Sequence, residues 1–128
     1  MQPIADRELT KVFWILLLDA QHRVMAVPVE TDDGRHELVA GPVAVTRGIL
    51  NSSLMHPREV FAHAILNRAC ALIAVHNHPS GDPTPSADDR VVTEQLIESG
   101  RVLDIPVHDH VVLGTGAKYV SFAERGWM

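Results

Sequence analysis

Residues 76–89 read HNHPSGDPTPSADD and follow directly on the apolar run ALIAV, Ala71 to Val75. The run has strand length and is apolar throughout, the pattern of a central strand buried on both faces. The segment behind it is polar and stiff. Pro79, Pro83 and Pro85 each fix φ at about −65°, and Gly81 allows a bend that other residues resist. Such a loop has little freedom to lose, so it holds its far end at a set distance from its start. That far end, Ser86-Ala87-Asp88-Asp89, opens a helical pattern. Any fold for this chain must therefore end a buried strand at a rigid loop that returns to a helix start.

Side chains at i and i+2 of a strand point to the same side. His76 and His78 can thus aim two imidazoles at one point. Neutral imidazole is a common zinc ligand, and Asp89 can supply a carboxylate oxygen as third ligand. Two histidines and one carboxylate leave a fourth position for water, the open pattern of catalytic zinc. A zinc-bound water can lose its proton near neutral pH. Ser-x-x-Asp before a helix is also a capping box, with Ser86 as cap and Asp89 reaching back. Ser86 can cap and also donate a hydrogen bond toward a substrate.

The rest of the chain supplies a frame for that loop. VFWILLL (Val12 to Leu18) and RVMAVPV (Arg23 to Val29) are apolar strands, and the short polar DAQH between them predicts a hairpin. Thr31-Asp32-Asp33-Gly34 is a turn, LVAGPVAV an interrupted strand, and ILNSSL a further short strand. Pro57 and Glu59 suit the first turn of a helix, and Phe61, Ile65, Leu66 and Ala69 recur at helical spacing. A second helix is predicted from about Ala87 to Ser99, with Gly100 as its stop. Val107 to Leu113 and Tyr119 to Phe122 are strands. The order predicts an α/β domain, a mixed β-sheet covered by helices.

A length of 128 residues suits one domain over 1–128. The net charge of −5 and the absence of a Lys/Arg block disfavour direct nucleic-acid binding. One cysteine, Cys70, excludes an intramolecular disulfide and a Cys-rich zinc site; between a helix and a strand it reads as a small buried residue. Val12 to Leu18 is too short to span a bilayer, and cytoplasm is the default location. Trp14 reads as core. Asp109 and His110 fall in a strand and can orient a ligating imidazole from behind.

His-x-His, seven residues, Ser, two residues, Asp resembles the JAMM motif of the JAB/MPN metalloprotease superfamily. HNHPSGDPTPS, HPREVFAHAIL, DHVVLG and YVSFAERGWM resemble its bacterial RadC branch. The resemblance covers roughly residues 10 to 128 and is weakest across 30 to 48. It implies the MPN fold, similar to cytidine deaminases, with zinc on His76, His78 and Asp89. It also implies that Ser86 stabilises the tetrahedral intermediate of amide hydrolysis, with a peptide or protein as substrate. The superfamily places a glutamate base just before the first strand, where this chain has Lys11. An ammonium cannot take a proton from water. Glu8, three residues earlier, is the candidate replacement; Glu30 and Glu59 are poorer ones.

Two function classes follow. One is a zinc metallohydrolase of peptide or isopeptide bonds. The other is a catalytically silent RadC-like module acting through DNA-repair or mobile-element partners. A zinc nucleobase deaminase is excluded, because it needs His-x-Glu and Cys-x-x-Cys. An HNH nuclease is suggested only by the letters His76-Asn77-His78.

Overall fold

The computed structural model of the protein describes residues 11–47 and 56–128. Strand β1 (Val12–Leu18) is the frame of the main sheet. It lies antiparallel to β4 (Val43–Arg47) on one side and to β5 (Ala71–Asn77) on the other. β5 in turn runs parallel to β6 (Val107–Leu113), and β6 antiparallel to β7 (Tyr119–Ser121). The result is a five-stranded mixed sheet in the order β4-β1-β5-β6-β7. β2 (Ala26–Glu30) and β3 (His36–Ala40) form a separate two-stranded ribbon. Among the described residues the helices are α1 (Pro57–Leu66) and α2 (Ala87–Leu103).

Parallel neighbours need a long crossover, and α2 is that crossover between β5 and β6. One sheet face carries Phe13, Ile15 and Leu17 beside Leu72 and Ala74. Val60, Phe61 and Ala64 of α1 and Val92 and Leu96 of α2 pack into the same buried cluster. The mixed sheet with helices against it is the architecture expected from the sequence. Among the described residues, no helix is long and apolar enough to cross a membrane.

Ile65 and Leu66 of the predicted helical spacing are exposed, and α1 ends before Ala69; four other local expectations change. The predicted β1–β2 hairpin does not form as a ladder. Asp19 turns the chain by accepting N–H bonds from Gln21 and Arg23, both at 2.9 Å. Only a single bridge, Leu18 to Val24, follows before β2 leaves to pair with β3. The second change is at the end of α2, which runs past Gly100 to Leu103 and stops at Asp104 in the left-handed region (φ 57°). Gly100 is there for a close approach: a Cβ would stand 2.5 Å from the Ile105 carbonyl oxygen. Third, Cys70 is exposed, and its neighbour Ala69 takes the buried position. Fourth, β7 closes at Ser121, one residue before Phe122. The predicted strand at ILNSSL lies outside the described residues. Gly41 interrupts LVAGPVAV as expected, dividing β3 from β4.

Gly100→Ala makes a clean stability test. Alanine adds about 1 kcal/mol of helix propensity. The clash is with backbone, which must shift, and overpacking costs about 1–3 kcal/mol or more. The variant should unfold at lower urea concentration than the wild type; an unchanged or raised midpoint would remove the close-approach explanation.

Candidate metal centre

β5 extends through His76 and Asn77, so His76 is a strand residue and His78 follows directly. The site lies beyond the carboxyl end of this strand, where α/β sheets commonly place ligands. The register sets His76 opposite Phe13, and the two rings stack with centroids 6.0 Å apart. Asn77 points the other way and its Oδ1 accepts the Val12 N–H at 2.7 Å. That bond anchors the start of β1 at the site and brings Lys11 with it.

The loop from His78 to Ser86 is docked on the end of β6. The His78 N–H donates to the Leu113 carbonyl and the Thr115 N–H to the Gly81 carbonyl, both at 2.9 Å. Gly81 sits at φ 91°, and a Cβ there would run into Thr115 Oγ1. The expected bend therefore requires glycine. The loop delivers Ser86 to the N-cap of α2.

At the cap, two readings that competed in the sequence coexist. Ser86 Oγ accepts the Asp89 N–H at 3.1 Å, and Asp89 Oδ2 accepts the Ser86 N–H at 2.8 Å. The capping box fixes the rotamer that turns the carboxylate inward. Asp89 Oδ2 then lies 2.9 Å from His78 Nε2, and Oδ1 lies 3.1 Å from His76 Nε2. The two Nε2 atoms are 3.2 Å apart. His76 and Asp89 are fully buried, while His78 reaches solvent.

This set suits a cation. His78 Nδ1 lies 2.9 Å from the Asp82 carbonyl. A carbonyl only accepts, so Nδ1 carries a proton, and Nε2 faces Asp89, donating to it when the ring is protonated and presenting a lone pair when the ring is neutral. Burial works to raise the Asp89 pKa, but the two imidazoles and the Ser86 N–H outweigh it and hold the carboxyl far below its ordinary range. Its hydrogen bond to His78 raises that imidazole's pKa against the effect of burial. A divalent ion would compete with that proton for the same lone pairs. His76, His78 and Asp89 offer ligand atoms that lie within 4.8 Å of one another and could hold a metal ion.

Behind His76 stands His110, with its Nε2 2.8 Å from His76 Nδ1. His110 Nδ1 in turn lies 2.5 Å from Thr93 Oγ1. Burial holds the pKa of His110 well below the ordinary value, and that of His76 below it as well. Asp109 does not join this row. Neighbouring strand residues face opposite ways, and its carboxylate instead binds Ser121 Oγ at 2.5 Å and the Ala123 N–H at 3.0 Å. It fastens the C-terminal turn, which packs Phe122 on His110 and Trp127 on Phe122. Thr93 was not singled out from sequence, although it lies four residues after Asp89, the spacing that shares a helix face. Lys11 Nζ stands 3.9 Å from Asp89 Oδ1. Glu8 lies outside the described residues.

This fold and site define a JAB-type domain. The sequence profile of the RadC-like JAB domain matches residues 29–127, and the chain belongs to that family. It is 44% identical over 114 residues to a UPF0758 protein of Pelobacter propionicus, covering 89% of this chain and 43% of that protein. It is 46% identical over 114 residues to one of Symbiobacterium thermophilum, covering 89% of this chain and 42% of the relative. One of Methanosarcina acetivorans is 50% identical over 84 residues, 66% of this chain and 36% of its own length. The chain thus spans less than half the length of these relatives.

Proposed function

We propose that residues 1–128 form a single RadC-like JAMM domain that is a zinc-dependent hydrolase of peptide or isopeptide bonds. The observation that carries this reading is the convergence of His76 Nε2, His78 Nε2 and the buried Asp89 carboxylate at the end of β5. Zinc held there would supply Lewis-acid activation of water at neutral pH. The choice of zinc follows from two imidazoles and one carboxylate as donors. Ser86 Oγ accepts the Asp89 N–H, so its own hydroxyl proton remains to donate toward the oxyanion of a substrate amide. Glu8 is the candidate base. The substrate is a peptide or protein, with neither membrane nor nucleic acid as direct partner, and the compartment is the cytoplasm.

Lys11 favours a second reading. Its ammonium stands near Asp89, where the family pattern has a glutamate, and it cannot act as a base. A chain lacking a base would bind metal and act through protein partners, with DNA-repair or mobile-element machinery as the candidates.

The experiment that separates the two readings measures zinc stoichiometry and hydrolysis of peptide and isopeptide panels, with and without chelator, for wild type and Lys11→Glu. Chelator-sensitive turnover by the wild type supports the hydrolase. Turnover only in Lys11→Glu, gained by the roughly 10²–10⁴-fold that a general base contributes, supports the silent module. A wild type that takes up no zinc ends both.

A further inference from the structure

We infer that Thr93 is a positioning residue that, through His110, fixes His76 as an Nε2 ligand; this rests on the metal-site reading above. The four groups form one buried row. Thr93 Oγ1 lies 2.8 Å from the Asp89 carbonyl and 2.5 Å from His110 Nδ1, and His110 Nε2 lies 2.8 Å from His76 Nδ1. Thr93, His110 and His76 are at most 2% exposed, so water does not substitute for a missing partner.

Proton bookkeeping gives the row a direction. The Asp89 carbonyl can only accept, and a hydroxyl has one proton to give. When Thr93 donates to that carbonyl, its oxygen must accept from His110 Nδ1–H. A neutral His110 then has a bare Nε2, which accepts from His76 Nδ1–H. His76 is left with its Nε2 lone pair facing Asp89 and His78. Every donor in the row has an acceptor in this arrangement. Reversing the row puts a proton on His76 Nε2, where it points at Asp89 Oδ1, 3.1 Å away, and blocks ligation. Two polarities are therefore available, and only the first is compatible with a metal on His76.

The Thr93 hydroxyl makes the metal-compatible polarity available by serving as terminal acceptor for His110 Nδ1–H. Valine keeps the shape of threonine and removes that acceptor. In Thr93→Val the metal-compatible polarity leaves a buried N–H without a partner, which is costly. Serine restores the hydroxyl. The effect is transmitted to the site, since Thr93 itself offers nothing to the ion. Asp89, whose carbonyl ends the row, is also a ligand, so the row closes on the site from behind.

The test uses the full chain and zinc alone as probe. Zinc affinity is measured by competition with a chromophoric chelator, and imidazole tautomers by nitrogen-15 NMR of the zinc-loaded protein. Wild type and Thr93→Ser should show His76 and His110 protonated at Nδ1, with similar affinity. Thr93→Val should bind zinc about 10–100-fold more weakly, the loss typical of an orienting partner, and lose the hydrogen-bonded Nδ1 proton of His110. Zinc-loaded wild type with His110 protonated at Nε2 would overturn the inference. So would a Thr93→Val protein that matches wild type in affinity, while the metal-site reading stands. A wild type that binds no zinc overturns that reading and this inference with it.

Discussion

Asp89→Asn is expected to weaken zinc binding by more than about 100-fold. Removing a partner that merely orients a ligand costs about 10–100-fold, and Asp89 stands to be a ligand itself. It also supplies the negative charge toward which both Nε2 atoms face. The variant should stay folded. Asparagine keeps an oxygen to accept the Ser86 N–H, so the capping box can persist with Asn at its N3 position. Asp88→Asn is the matched control, because Asp88 is the adjacent but exposed carboxylate. Isothermal titration with zinc should show one site in wild type and in Asp88→Asn, and none in Asp89→Asn at the same concentrations. Equal binding by all three would place any metal elsewhere.

Acidification has the second large effect. Burial lowers the pKa of His76 and His110, opposed at His76 by Asp89. The folded protein therefore keeps both rings neutral where the unfolded chain protonates them, below about pH 6.5. The unfolded state then binds more protons, so stability falls as pH falls. The ceiling is about 1.4 kcal/mol per pH unit for each proton that only the unfolded chain takes up. His78 acts in the opposite sense. Its bond to Asp89 raises its pKa, so its contribution is complete below its unfolded value and is lost as pH rises through the folded one. That offset comes from one ring at the solvent edge, against two that are buried. Asp89 stays ionised throughout this window and adds no slope. Urea midpoints of the metal-free protein should fall from about pH 7 to about pH 5, and zinc should be released over the same range, as a proton takes the His78 Nε2 lone pair. A flat midpoint across that window would mean that the two buried rings are not held neutral.

Much of this site was legible in the sequence because its parts are local. ALIAV, the prolines and Ser86-x-x-Asp89 lie within nineteen consecutive residues, and each obeys a short-range rule. The strand ends, the loop bends at Gly81, and the cap turns Asp89 inward. What escaped depends on contacts between distant segments. Strand periodicity shows that β1 and β2 are strands but not that β1 chooses β4 and β5 as neighbours. Gly100 carries a common helix-stop signal, and only the approach of Ile105 shows why a glycine stands within the helix. Cys70 and Ala69 differ by one position at a helix–strand junction, where periodicity does not decide which is buried. Asp109 and His110 are adjacent in sequence, and strand alternation sends them to opposite sides. Thr93 lay in plain view at helical spacing from Asp89, but its meaning depends on His110 arriving from β6.

The central claim is that His76, His78 and Asp89 hold one divalent ion. Its most direct test is a crystal structure of the protein grown with zinc, with the ion located by anomalous scattering at the zinc edge. The account predicts a single peak about 2.0–2.2 Å from His76 Nε2, His78 Nε2 and an Asp89 carboxylate oxygen. A peak bound elsewhere, or none at these three residues with zinc in excess, would contradict it.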